Sequence, residues 1–161
     1  TADCLPLIIY DPSGRRLAAV HAGWRGTVQS AARAAVDRLV EAGSPPDGLV
    51  VAIGPSIGPC CYEVDGPVIE QLSAAFPAGW ERWTIPAGPG KWMLDLWQAN
   101  EDQPAAADVD RAMIENLRLC TACNPDRFFS YRREGSVRLG RTGRLVAMAA
   151  IPGSAHTPAP C

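Results

Sequence analysis

Histidine is nearly missing from this chain: 161 residues contain only His21 and His156, and His156 lies in the C-terminal tail. A multicopper oxidase needs many imidazoles, and a blue-copper centre wants two histidines beside a cysteine, so these residues cannot build either. Lysine is scarcer still. Lys91 stands alone, and arginine supplies the rest of the positive charge, which favours planar anion clamps over point charges. No apolar run approaches the roughly 20 residues that cross a bilayer, and no secretory leader is expected. The formal net charge is −2, so no basic field advertises nucleic acid or an anionic membrane, and neither is expected as a partner.

Cysteine is present six times, in a pattern unlike a disulfide framework. Cys60 and Cys61 are adjacent, Cys120 and Cys123 form a C-x-x-C, and a domain this long needs no staples, so reduced thiols in a cytoplasmic protein are expected. There is no second C-x-x-C to complete a four-thiolate zinc site. Cys120 follows a helical run, Ala112 to Leu119, and a thioredoxin-like motif would instead open a helix. Ordinary thiols near a helix end are the expectation for that pair.

The length fits one domain, with residues 1–151 as its core and residues 152–161 as a disordered tail. Leu5 to Tyr10 and Arg16 to Val20 read as strands of an antiparallel hairpin around Asp11-Pro12-Ser13-Gly14. Val28, Ala31, Ala32, Ala35, Val36, Leu39 and Val40 recur at helical spacing, predicting one helix from Gly26-Thr27 to Gly43. Leu49 to Ile53 reads as a buried strand leading into the rigid Gly54-Pro55 and Gly58-Pro59 loop. Pro67 to Phe76, Asp95 to Gln103 and Val109 to Leu119 read as helices, Pro77 to Lys91 as loop with one short strand, and Phe128–Arg132 and Leu145–Ile151 as strands. Strands and helices interleave and the hairpin demands antiparallel pairing. An α+β fold with a mixed sheet follows.

If Asp11 faces Gly14 across a two-residue turn, Cys4 falls opposite His21 on one face of the sheet. A thiol and an imidazole that close form a metal half-site or a nucleophile with its base. A bulge after Pro12 would shift the register by one and part them. Gly23-Trp24-Arg25-Gly26 follows at a strand-to-helix junction, where Arg25 and free N–H groups suit an anion, or where a tight turn simply buries Trp24. Phe128-Phe129-Ser130-Tyr131-Arg132-Arg133, with Arg138, Arg141 and Arg144 beyond it, reads as an aromatic and arginine wall for a base and its phosphate, or as a solvated basic hairpin.

The motifs around these residues resemble those of the YfiH-type laccase-domain family. They run in order through Thr1-Ala2-Asp3-Cys4-Leu5-Pro6, Ala19 to Gly26, Ala52 to Val64, Leu94-Asp95-Leu96, Phe128 to Arg133 and Thr142-Gly143-Arg144. The resemblance implies a fold shared with the catalytic domain of cytotoxic necrotizing factor toxins. It also implies a zinc-associated purine nucleoside phosphorylase that acts on adenosine, inosine, guanosine and methylthioadenosine and deaminates adenosine. Cys4 and His21 match two of the family's three zinc ligands; the third is a histidine upstream of the motifs found here, and the family is longer at its N-terminus. Phosphate is expected at Arg25 or Arg132 and the purine against Tyr131 or a nearby phenylalanine, in a monomer. A metal-free cysteine hydrolase with a Cys4–His21 dyad and an inactive remnant of the fold are the alternatives.

Overall fold

The computed structural model describes residues 1–135 and 142–152. In chain order they form β1 (Leu5–Asp11), β2 (Arg16–Ala22), α1 (Trp24–Val28), α2 (Ala31–Glu41), β3 (Val50–Ile53), β4 (Glu63–Asp65) and α3 (Gly66–Ala75). Then come β5 (Thr84–Gly88), β6 (Lys91–Leu94), α4 (Leu96–Ala105), β7 (Ile114–Asn116) and the short α5 (Tyr131–Glu134). Every second residue of β1 is buried, and Leu5, Leu7 and Ile9 are wholly closed to solvent. Each such side chain gains about 1.5–3 kcal/mol by leaving water, so β1 sits inside the larger sheet, whose order is β2-β1-β3-β7. β1 pairs antiparallel with β2 and β3, while β7 runs parallel to β3. β4, β6 and β5 make a second, antiparallel sheet. The fold is α+β with a mixed sheet, as the sequence predicts.

The hairpin register differs from the tight-turn expectation by two residues. Asp11 pairs with Arg16 and Pro6 with His21, so Pro12 to Arg15 form a four-residue loop. Buried Asp11 closes it: one carboxylate oxygen accepts from the Ser13 hydroxyl at 2.7 Å and the Gly14 N–H at 2.8 Å, the other from Ser44 at 2.6 Å and Arg16 at 3.1 Å. Those bonds hold the Asp11 carboxyl well below the usual carboxylate range. Cys4 is therefore diagonal to His21, not opposite it. A shift of two keeps side-chain parity, so both remain on one face.

Three further expectations change. The long helix after Gly26 is two, because Ser30 takes φ +56° between α1 and α2; apolar spacing survives that break, which hides it from the pattern. The helix expected over Val109 to Leu119 is instead a 3-10 turn, Arg111–Met113, followed by β7. Parallel pairing of Ile114 to Asn116 with Val51 to Ile53 outweighs local helical preference. The strand expected at Phe128 to Arg132 gives way to α5, capped by Ser130, whose hydroxyl accepts from the Arg133 N–H at 3.2 Å. Leu145 donates a backbone bond to Thr1 at 2.7 Å without building a strand. The Pro77 to Lys91 segment carries a 3-10 turn and the β5–β6 hairpin rather than one short strand. The basic turn at Arg138 and Arg141 and the tail from Gly153 lie outside the described residues.

The helices past the hairpin anchor its far end. Asn100 on α4 donates to the Thr27 hydroxyl at 2.8 Å and Gln103 to the Thr27 carbonyl at 2.8 Å. Asp95 caps α4 as expected, accepting from the Gln98 N–H at 3.0 Å; Pro104 falls in the last turn of α4 rather than beyond it. After β3, Gly54 donates to the Pro6 carbonyl at 2.9 Å and Ile57 to the Asp3 carbonyl at 2.9 Å. The Gly-Pro loop is thereby stitched across the start of β1.

Candidate functional site

Cys4, His21, Arg25, Tyr131 and Arg132 all line one cleft of about 490 Å³. Five segments meet there: the approach to β1, the end of β2 with the start of α1, Tyr62 ahead of β4, α5, and the stretch at Arg144. Cys4 is half-buried, while His21, Arg25, Tyr131 and Arg132 reach solvent. The thiol lies tight against Gly23, where an added Cβ would stand 2.7 Å from Sγ. Glycine at that position makes room for the cysteine, which a reading of the turn alone does not disclose. Burial, reinforced by the Asp3 carboxylate, pushes the Cys4 thiol up, so it is not a standing thiolate.

Arginines and aromatic rings alternate around the walls. The Arg25 guanidinium lies 4.4 Å over the Trp24 ring and that of Arg132 lies 5.1 Å over Tyr62. Arg132 also donates from Nη1 to the Glu63 carbonyl at 2.7 Å, which fixes its reach. Arg144 lines the same cleft. Burial lifts the Tyr62 phenol to about 12, leaving a neutral, amphipathic wall. Three guanidiniums without a lining carboxylate other than Asp3 suit a doubly charged oxyanion.

Asp3 is the residue that joins these parts. It is buried, its backbone takes φ +84°, and both oxygens are engaged. Oδ1 accepts from the Thr121 hydroxyl at 2.7 Å and Oδ2 from the Arg132 backbone N–H at 2.6 Å. It therefore sets where α5 begins, and with it Tyr131 and Arg132. Arg133 faces away from the cleft and holds the other end, donating to the carbonyls of Thr121, Ala122 and Phe128 at 2.8, 3.0 and 2.7 Å. Asp3 and Tyr62 were given no site role by the residues alone, whereas Arg144, read as part of an arginine wall, does line the cleft. The signal for Asp3 and Tyr62 was position within motifs already singled out.

A thiol and an imidazole suit zinc as donors, but Cys4 and His21 fall one short of the three protein ligands a catalytic zinc takes. Among the described residues no third histidine, cysteine or carboxylate joins them in a close ligand group. A different cluster does form. The sulfurs of Cys60, Cys61, Cys120 and Cys123 all lie within 4.8 Å of one another; Cys120 and Cys123, expected to be ordinary thiols near a helix end, follow β7 instead and gather with two further cysteines. The four could hold a metal ion. Sequence reading sought a second C-x-x-C, whereas the fold brings an adjacent pair to the first one. Burial and contact with Cys123 push Cys60 up to about 11 and Cys61 higher; Cys120, although burial raises it, is pulled down by the N–H groups of Gly58 and Cys123 together with the thiols of Cys123 and Cys60.

No helix among the described residues is long and apolar enough to cross a membrane. The chain is 40% identical over 146 residues to a purine nucleoside phosphorylase of Pseudomonas aeruginosa, covering 91% of this chain and 57% of that protein. An adenosine deaminase from an unknown prokaryotic organism is 37% identical over 142 residues, covering 88% of this chain and 54% of its own length. Among solved structures, the Bacillus licheniformis hypothetical protein YfiH superposes with a TM-score of 0.79 at 36% identity, covering 83% of this chain and 51% of that one. The chain thus spans about half the length of the relatives it matches. With residues 1–152 matching the model of the multi-copper polyphenol oxidoreductase laccase family, the chain belongs to that family.

Proposed function

We propose that this chain carries the thiol–imidazole and anion-binding side of a zinc-associated purine nucleoside phosphorylase, monomeric and cytoplasmic. Its substrates would be adenosine, inosine, guanosine and methylthioadenosine with phosphate, and it would also deaminate adenosine. The observation that carries the reading is the single cleft in which Cys4 and His21 stand beside Arg25, Arg132 and Arg144 and the rings of Trp24, Tyr62 and Tyr131. Relatives named purine nucleoside phosphorylase and adenosine deaminase point the same way.

In phosphorolysis, phosphate attacks the anomeric carbon of the ribose as the purine departs with the bonding electrons. The transition state has an electron-poor sugar between two groups that must be held in line, so positioning and charge stabilisation do most of the work. Arg25 and Arg132 would grip phosphate through their planar forks, and Arg144 adds a third cation. Tyr131 would stack on the purine, with Tyr62 and Trp24 closing the apolar side. Zinc would be held by Cys4, His21 and a ligand from outside these 161 residues; when bound, it would supply an acidified water for deamination. The raised Cys4 thiol works against the metal-free cysteine nucleophile as an alternative.

Cys4→Ala in the full-length protein tests the reading. Both phosphorolysis and deamination are expected to vanish with loss of the zinc held in the cleft. Turnover that persists while zinc content is unaltered would overturn it.

A further inference from the structure

We propose that Cys60, Cys61, Cys120 and Cys123 form a closed structural zinc site, separate from the cleft and clamping the loop that carries Asp3's partner. The assignment does not depend on what the cleft does. A tetrahedral ion with Zn–S bonds of about 2.3 Å sets its four sulfurs about 3.8 Å apart. Here Cys60 and Cys61 stand 3.5 and 3.4 Å from Cys123, and all four sulfurs fall within 4.8 Å. That is the span of one ion's coordination sphere. An iron–sulfur cluster distributes its thiolates over several irons and needs them farther apart. Soft sulfur donors in fourfold array select zinc over the harder divalent ions.

The backbone holds the array from both sides. Ser56 bridges to Cys120: its N–H donates to the Leu119 carbonyl at 3.2 Å and its carbonyl accepts from Thr121 at 3.0 Å. Asn124 donates to the Cys120 carbonyl at 2.7 Å, and Cys61 donates to the Gly58 carbonyl at 3.0 Å. The Gly58 N–H donates to Cys120 Sγ at 3.3 Å, the contact that typically surrounds a metal-bound thiolate and raises no competition for the ion. The Arg133 guanidinium, on the carbonyls of Thr121 and Ala122, places positive charge beside an assembly that four thiolates and one zinc leave net negative. Binding would release the thiol protons to solvent and form four Zn–S bonds, with no change of oxidation state.

The consequence for the rest of the fold is specific. Thr121, within the C-x-x-C, donates to Asp3, and Asp3 receives the Arg132 N–H. An ion on the four sulfurs would hold that chain of contacts from its outer end.

The test uses full-length protein carrying Cys4→Ala and His21→Ala, so that the cleft keeps neither of its ligands from this chain, purified under reducing conditions without added metal. About one zinc per chain is expected to remain, and further substitution with Cys60→Ser and Cys123→Ser, both exposed positions, should remove it. Retention of that zinc by the serine variant would overturn the proposal. So would its complete loss with Cys4→Ala and His21→Ala alone, a single iron in its place, or an intact mass showing a disulfide among the four. Should the serine variant not fold, cobalt substitution of the Cys4→Ala, His21→Ala protein decides: intense tetrahedral d–d bands with strong sulfur-to-cobalt charge transfer support four thiolates, and weak octahedral bands refute them.

Discussion

The cleft and the four-cysteine cluster lie on the two sides of Asp3 and are built in opposite ways. In the cleft, Cys4 and His21 are close in sequence and share a strand face, yet they are two donors set among cations and rings, open to solvent. In the cluster, each pair comes from a separate loop some sixty positions from the other, yet four donors converge with little else around them. Open sites with mixed chemistry suit reactants, and closed sites of uniform donors suit a permanent occupant. The contrast accords with the proposals of reaction in the first and support in the second, with the Asp3–Thr121 hydrogen bond running between them.

Substitutions can separate the two regions or bring them down together. The largest effect is expected for Ile9→Ala, which empties part of the core that the whole fold shares: about 2–5 kcal/mol of stability lost, read as a lower denaturant midpoint with unchanged m-value, with both regions failing in one transition. Next is Asp3→Asn, where an amide NH₂ must face a donor and one charge-assisted bond is lost, for about 1.5–3 kcal/mol. A weaker apparent affinity for phosphate with near-normal zinc at the four cysteines should accompany it, because Arg132 shifts while the sulfurs do not. Unchanged phosphate affinity would break the link between the regions. Gly23→Ala should strike the cleft alone, its methyl meeting Cys4 Sγ at 2.7 Å and costing about 1–3 kcal/mol. Activity should fall while cobalt spectra of the cysteine cluster stay the same. Arg38→Ala, remote from both and paired only with exposed Glu41, is expected to change stability by less than about 0.5 kcal/mol in a thermal melt.

What the sequence made legible follows the range of the forces involved. The α4 cap at Asp95 and the Pro67 start of α3 are decided by neighbours within a few residues, and each reads directly; the alternating burial of β1 does not, because Leu5 to Tyr10 is apolar on both faces. The hairpin register does not either, because Asp11 is satisfied by Ser44, thirty-three positions away, as well as by its own turn. The same holds for Ile114 to Asn116, whose strand state depends on pairing with Val51 to Ile53. Cleft residues were found because motifs cluster them, and Asp3 was missed because its role is to orient rather than to react. The cysteine cluster was missed because contacts across the fold, the Ser56–Cys120 bridge and the Gly58 N–H on Cys120 Sγ, bring its two halves together.

The most direct test of the cleft is the appearance of purine base from inosine as a function of phosphate concentration, measured with the full-length protein. The account predicts base release that rises with phosphate, saturates, and is matched by ribose 1-phosphate. Base release at the same rate without phosphate, yielding free ribose, would contradict it.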